Sequence, residues 1–230
     1  MLFRSYCFLN NAAIAAEGFL VDGADRVAVL DIDFHHGNGT QGIFWERADV
    51  LFTSLHGHPA DAFPYFMGYE DETGAGPGEG HTANYPMRPG TGFDEWSTAL
   101  DDACRRILAH RPDALVVSLG VDTFEGDPIS FFRLATTDYL EVGRCIGALG
   151  LPTLYVMEGG YAVDEIGPNT VNVPSGHLDA LVTPDPVLWG SDAPPEISVR
   201  RVLGSTIVHI SGHVGHLEIT RDLVVAANAR

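Results

Sequence analysis

The chain has 230 residues, 45% of them hydrophobic and 19% charged, and a formal net charge of −18 at pH 7. This much apolar sequence supports a sizeable core and excludes a disordered acidic tail, because disorder requires low hydrophobicity as well as high charge. The negative field argues against nucleic acid or an anionic membrane surface as a partner and suits a cationic ligand such as an amine.

Cysteine usage and hydropathy narrow the class of protein further. Three scattered cysteines (Cys7, Cys104 and Cys145) indicate reduced thiols and a cytoplasmic protein rather than a disulfide framework. No apolar run approaches the roughly 20 residues that a membrane span requires. We therefore expect a globular cytoplasmic protein.

The predicted elements alternate between helix and strand. Residues 9–20 have the apolar spacing of a helix that Asn10 or Asn11 could cap. Amphipathic patterns predict two later helices, over 94–109 with Asp94 as cap and over 137–149 with Thr137 or Asp138 as cap. Short apolar runs typical of strands buried on both faces lie at 27–30, 50–52, 114–117 and 153–157. This order predicts an α/β domain with a mainly parallel sheet. The Gly- and Pro-rich residues 68–92 are expected to form one long functional loop.

Polar side chains follow the first predicted strand directly. In an extended chain Asp31, Asp33 and His35 would project to the same side, at the carboxyl edge where open α/β sheets place their ligands. Two carboxylates and an imidazole in an apolar setting must be neutralised, and a metal ion can do so. An isolated Asp-x-His pair is nevertheless more often structural.

Two further strand ends carry chemistry-bearing residues. Asp122 follows the run at 114–117, and Glu158-Gly159-Gly160-Tyr161 follows the run at 153–157, with two glycines that allow the backbone to present Tyr161. Taken alone, Asp122 could cap a helix and Tyr161 could be a loop aromatic. Three such features on successive strand ends indicate an active site.

Several ordered motifs between residues 6 and 179 together resemble the histone deacetylase superfamily, and within it the bacterial acetylpolyamine amidohydrolases. They are Tyr6–Asn11, Asp31–Gln41, Asp61–Pro64, Gly120–Phe124 and Glu158–Tyr161. The resemblance implies a three-layer arginase/deacetylase-like α/β fold and a hydrolase acting on acetylated amines.

The resemblance also implies roles for individual residues. Asp33, His35 and Asp122 would bind zinc, with Fe²⁺ as an alternative metal, and Tyr161 would donate a hydrogen bond to the developing oxyanion. Tyr6 and Phe63 would form walls of a narrow substrate channel, and His36 and Asn38 would support the metal ligands. A structural K⁺ would be held by Asp31, His35, Ser54 and the Leu55 backbone, and a second K⁺ by backbone carbonyls around Phe44, Arg47 and Val50.

Both ends of the chain depart from the family pattern. The family's general base is a His-His pair that would fall just ahead of Met1, so we expect an N-terminally incomplete catalytic domain over 6–179 with little or no activity of its own. We interpret the first five residues as an assembly artefact, since residues 2–5 are what a common sequencing adapter encodes in one reading frame. Residues 180–230 are interpreted as a tail of uncertain origin, for which read-through or a shifted reading frame is the simplest account. His209, His213 and His216 could bind metal on a helix, but no acidic or cysteine ligand accompanies them.

Three functional interpretations stay open from the sequence. The leading one is a deacetylase of small cationic amides, with acetylated polyamines as substrate. The second is a deacetylase acting on acetyl-lysine in proteins. The third is a non-catalytic metal-binding fragment that retains the ligands without the base. For the full-length parent we leave a homodimer open.

Overall fold

The computed structural model describes residues 9–182 and 207–209. Its strands are β1 (Val27–Asp31), β2 (Val50–Gly57), β3 (Thr82–Met87), β4 (Ala114–Leu119), β5 (Thr153–Met157) and β6 (Ile207–His209). Its helices are α1 (Asn11–Val21), α2 (Asn38–Phe44), α3 (Phe93–His110), α4 (Asp138–Gly147) and α5 (Ile166–Val182), with a 3₁₀ turn at Gly76–Gly78.

The six strands form one sheet in the order β3-β2-β1-β4-β5-β6, and every neighbouring pair is parallel. The predicted α/β class with a mainly parallel sheet is confirmed. β6 falls within the predicted tail and lies beside β5, and the proposed division of the chain near residue 180 stays a prediction.

The packing of β1 explains why the sequences of the central strands are almost continuously apolar. Val27 and Val29 pack on one face, in a cluster that includes residues of α1 and Phe44. Ala28 and Leu30 pack on the opposite face, in a cluster that includes Trp96 of α3 and residues of α4 and α5. Because alternate strand residues point to opposite faces, a sheet covered on both sides needs apolar residues at every position.

Local capping agrees with the sequence at α1 and differs at α3. Asn10 is the N-cap of α1, and its side chain accepts a hydrogen bond from the Ala13 N–H over 2.8 Å. Gly92 occupies the N-cap position of α3, and Asp94 lies in the first turn instead of capping it. Thr137 occupies the N-cap position of α4 without a capping side-chain bond. The alternative candidate, Asp138, is the first residue of α4, and its side chain accepts the Ala135 N–H over 2.7 Å instead.

The expectation of one long loop over residues 68–92 is wrong, because β3 and the 3₁₀ turn lie inside it. β3 pairs with β2 in the register Ser54↔Asn84 and His56↔Pro86. The sequence does not predict this strand because Asn84 and Pro86 interrupt any continuous apolar run. Proline is nevertheless compatible with a strand at the edge of a sheet, where β3 lies.

Within the described residues, no helix combines the length and apolarity needed to cross a bilayer. Tyr6, Cys7, residues 2–5, His213 and His216 lie outside the described residues, as does the side chain of His209.

Candidate functional site

Three neighbouring strands deliver the chemistry-bearing residues to one edge of the sheet. β1 ends at Asp31, β4 at Leu119 and β5 at Met157, and the register pairs Asp31 with Ser118 and Leu119 with Met157. Because these strands are parallel and adjacent, the segments that follow them leave the sheet at the same carboxyl edge.

The extended alternation predicted for Asp31, Asp33 and His35 stops at Asp31, so that part of the geometric argument is wrong. Residues 33–35 form a bend. The bend is held by the Asp33 Oδ1 atom, which accepts the His35 N–H over 2.7 Å, and by the Asp122 Oδ1 atom, which accepts the Phe34 N–H over 2.8 Å. A turn stabilised by carboxylates, rather than strand periodicity, brings the side chains together.

Asp33, His35 and Asp122 converge so that one ligand-type atom from each lies within 4.8 Å of the others, and within the part of the chain that is described this is the one such group. The Nδ1 atom of His35 lies 3.1 Å from Asp122 Oδ2 and 3.4 Å from Asp33 Oδ1. Asp122 is fully buried, whereas the His35 side chain is 13% exposed. The carboxylate of Asp122 is therefore shielded from solvent, whereas solvent reaches the site at His35.

The buried negative charge of Asp33 and Asp122 favours the binding of a cation. Burial on its own lowers the pKa of His35, but hydrogen bonds to Asp122 and Asp33, together with their negative charges, raise that pKa to about 10. Burial, and then the charge of Asp33, raises the pKa of the Asp122 carboxyl well above its usual range. Without a metal, a proton on His35 offsets only part of the negative charge of the two carboxylates, and a dication bound between them would replace that proton.

Two glycines make room for the carboxylates, and the sequence interpretation missed this function. A Cβ atom at Gly159 would collide with the Asp122 and Asp33 carboxylates, and one at Gly120 would collide with Asp33. The Gly159 N–H also donates to Asp33 Oδ2 over 2.8 Å. The proximity of both positions to strand ends was visible in the sequence, but the close approach across strands was not.

Tyr161 lies at the end of a glycine pair beside this site. Gly160 has a φ of 148°, a conformation that favours glycine, and the Tyr161 side chain is 44% exposed. The Tyr161 N–H donates to Asp127 Oδ2 over 2.7 Å. Asp127 was also missed, although the tripeptide Gly126-Asp127-Pro128 is a turn signal close to Asp122.

His36 points into a buried polar network behind the site. Its Nε2 atom lies 2.8 Å from Gln41 Oε1, and its ring lies 4.5 Å, centroid to centroid, from that of His56. Gln41 donates in turn to Glu72, which also accepts the Gly68 N–H over 2.8 Å. The network joins the bend that holds His35 to the loop after β2. Asn38 begins α2 and is partly buried.

The remaining predicted site residues fall into three groups. Phe63 is partly buried, and its ring lies edge-on to that of Tyr65 at 6.1 Å. Asp31, Ser54 and Leu55 are fully buried, with Asp31 and Ser54 paired in the β1–β2 register. Phe44 ends α2, its carbonyl accepts the Arg47 N–H over 3.0 Å, and Val50 begins β2. Their assignment to a channel and to K⁺ sites stays a prediction.

Known proteins resemble this chain in both sequence and structure. A family model described as the histone deacetylase domain matches residues 3–175. Acetylpolyamine amidohydrolase 1 of Pseudomonas aeruginosa is 63% identical and acetylpolyamine amidohydrolase of Mycoplana ramosa 61% identical, each over 175 residues, which cover 76% of this chain and 51% of the relative. The crystal structure of acetylpolyamine aminohydrolase from Burkholderia pseudomallei superposes with a TM-score of 0.73 at 44% identity, covering 75% of this chain and 50% of that one. The chain thus spans about half the length of the curated relatives it matches.

Proposed function

The chain belongs to the histone deacetylase family, and from that premise we propose that it carries the metal site of a zinc-dependent hydrolase that removes acetyl groups from acetylated polyamines. The observation that carries the proposal is the convergence of Asp33, His35 and Asp122 at the carboxyl edge of the sheet. The names of the relatives favour acetylated polyamines over acetyl-lysine in proteins as the substrate class.

The donor set fits a catalytic metal. One imidazole nitrogen and two carboxylates leave one open position on a four-coordinate zinc ion, as catalytic zinc sites require. Fe²⁺ accepts the same nitrogen and oxygen donors. When bound, the metal would lower the pKa of a coordinated water and polarise the amide carbonyl. Gly120 and Gly159 support the assignment because only glycine leaves space beside the carboxylates.

The other proposed roles are those that the resemblance to the family implies. The hydroxyl of Tyr161 would donate a hydrogen bond to the oxygen that gains negative charge, an interaction that is strongest in the transition state. Phe63, and Tyr6 outside the described residues, would line the methylene chain of the substrate. His36 and Asn38 would support the bend around His35 from the side of α2.

Buried charge near β1 supports the structural K⁺ proposal. Asp31 is fully buried, and a buried carboxylate requires compensation from a cation or from hydrogen bonds. Its Oδ1 also accepts the Asp33 N–H over 3.2 Å. The bound cation would be shared with His35, Ser54 and the Leu55 carbonyl. The carbonyls near Phe44, Arg47 and Val50 would form the second K⁺ site.

Metal analysis combined with a substrate comparison tests the proposal. The natural full-length protein, loaded with zinc, should hydrolyse an N-acetylated diamine and should act more slowly on an acetyl-lysine peptide. Zinc removal by a chelator should abolish turnover, and zinc addition should restore it. Turnover that survives complete metal removal, or zinc-bound protein that hydrolyses neither substrate, would reject the proposed function.

A further inference from the structure

The segments that follow β4 and β5 stay side by side after the regular sheet ends. The Glu158 N–H donates to the Leu119 carbonyl over 2.8 Å, and the Val121 N–H donates to the Gly159 carbonyl over 2.8 Å. These two bonds continue the hydrogen bonding between β4 and β5 beyond their last residue pair, Leu119 and Met157. They also fix the backbone of Gly159 beside Asp122. They do not reach Tyr161.

The carboxylate of Asp127 makes the next connection between the two segments. Asp127 is 6% exposed, and its two oxygens accept main-chain N–H groups from two different segments. Oδ2 accepts the Tyr161 N–H over 2.7 Å, and Oδ1 accepts the Ile129 N–H over 3.0 Å. Hydrogen bonds to a carboxylate are shorter and stronger than bonds between neutral groups. We therefore expect the bond from the Tyr161 N–H to Asp127 to restrain the main chain of Tyr161.

The loop that carries Asp127 is itself anchored. The hydroxyl of Tyr139, on α4, donates to the Val121 carbonyl over 3.1 Å and lies 2.9 Å from Thr123 Oγ1. The Asp127 N–H donates to the Phe124 carbonyl over 3.0 Å. Residues 121–127 therefore form a short loop fixed to a helix at one end and to Tyr161 at the other.

Tyr161 needs such a fixed point because two glycines precede it. Gly160 lies beyond the bonds that fix residue 159 and adopts a φ of 148°, in the region of backbone conformation open mainly to glycine. A hydroxyl that must meet a developing oxyanion has to be held within a fraction of an ångström, since small displacements of a reacting group cost large factors in rate.

We propose that Asp127 is the positioning residue for Tyr161: its carboxylate holds the Tyr161 main chain so that the hydroxyl faces the substrate carbonyl. This inference rests on the proposed function, in which Tyr161 is the hydrogen-bond donor. The alternative is that Asp127 only stabilises the turn over residues 126–129, through its bond to Ile129. If Asp127 positions Tyr161, its loss lowers kcat only when the Tyr161 hydroxyl is present. If it only stabilises the turn, the loss of kcat is the same with and without that hydroxyl.

A double-mutant comparison separates these roles in the zinc-loaded full-length protein. Asp127→Ala should lower kcat on the order of 10-fold or more while KM changes little. In a Tyr161→Phe background, which lacks the hydroxyl, the same change should lower kcat less than about twofold. Equal losses of kcat in both backgrounds would overturn the inference and leave the proposed function standing. Asp127→Asn, which keeps one acceptor oxygen, serves as the milder variant if Asp127→Ala does not fold.

Amide hydrogen exchange provides a readout that needs no catalysis. In the 230-residue chain, Asp127→Ala should accelerate exchange of the Tyr161 amide, while zinc content stays equal to that of the unmodified chain. Asp127→Asn, which keeps one acceptor oxygen, should accelerate this exchange less. Asp164→Asn is the matched control, because Asp164 is exposed and lies only three residues from Tyr161. Unchanged exchange at Tyr161 in the Asp127 variants overturns the inference. If the unmodified full-length protein binds zinc without turnover, the proposed function fails, and the exchange comparison in the 230-residue chain still decides whether Asp127 holds the Tyr161 main chain.

Discussion

The main-chain N–H of Gly159 lies 2.8 Å from the Oδ2 atom of Asp33, although 126 residues separate them in the chain. The contact places the start of the Tyr161 segment directly against a predicted metal ligand. It also leaves no space for a side chain at position 159, because a Cβ atom there would meet the Asp122 and Asp33 carboxylates.

Gly159→Ala should therefore weaken zinc binding. The added methyl group pushes the carboxylates apart, and disturbing the groups that orient metal ligands commonly costs about 10- to 100-fold in metal affinity. Gly167→Ala is the matched control, since no atom lies within 4 Å of a Cβ placed there. Competition with a chromophoric zinc chelator measures both affinities. Equal zinc affinity in the two variants would contradict the close packing of Gly159 against the site.

Alanine substitution of the predicted ligands should remove the metal altogether. Asp33→Ala, His35→Ala and Asp122→Ala each delete one donor from a set of three, and we expect each to lose stoichiometric zinc. Elemental analysis after gel filtration measures the metal content. Glu125→Ala, an exposed carboxylate on the loop after Asp122, should retain full zinc. Three ligand variants with full metal content would defeat the assignment.

Tyr161→Phe should separate chemistry from binding. It removes one hydroxyl and should lower kcat by roughly 10² to 10³, the usual cost of losing an oxyanion donor, with KM and zinc content little changed. Steady-state kinetics on an N-acetylated diamine, with metal analysis of the same preparation, provides the measurement. A variant with unchanged kcat would show that Tyr161 serves only as part of the loop.

Zinc binding should release protons and tighten as pH rises. The pKa of His35 is raised to about 10 in the metal-free protein, so His35 carries a proton at neutral pH, and zinc needs the neutral imidazole. Between about pH 7 and pH 9, the affinity should increase up to about tenfold per pH unit, with about one proton released at His35 per zinc ion. Titration calorimetry in buffers of different ionisation enthalpy counts these protons. Affinity independent of pH across this range would show that His35 is already neutral in the metal-free site.

Much of the fold and the outline of the site follow from sequence alone. The apolar runs at β1, β4 and β5 predicted a parallel sheet because strands covered on both faces need apolar residues throughout. Asp33, Asp122 and Tyr161 were placed at one edge because parallel strands end there together. The sequence predicts Asn10 or Asn11 as the cap of α1, because a capping bond such as that from the Ala13 N–H to Asn10 is local.

The tertiary structure decided whatever depended on contacts between distant segments. The bend at residues 33–35 replaced the predicted alternation because Asp122, from another strand, accepts the Phe34 N–H. β3 was hidden because an edge strand needs no continuous apolar run. The roles of Gly120, Gly159 and Asp127 arise from close approaches between the segments after β1, β4 and β5. The local pattern of apolar residues indicates how a segment is buried. The distance between two segments depends on the order of the strands in the sheet, which no local pattern contains.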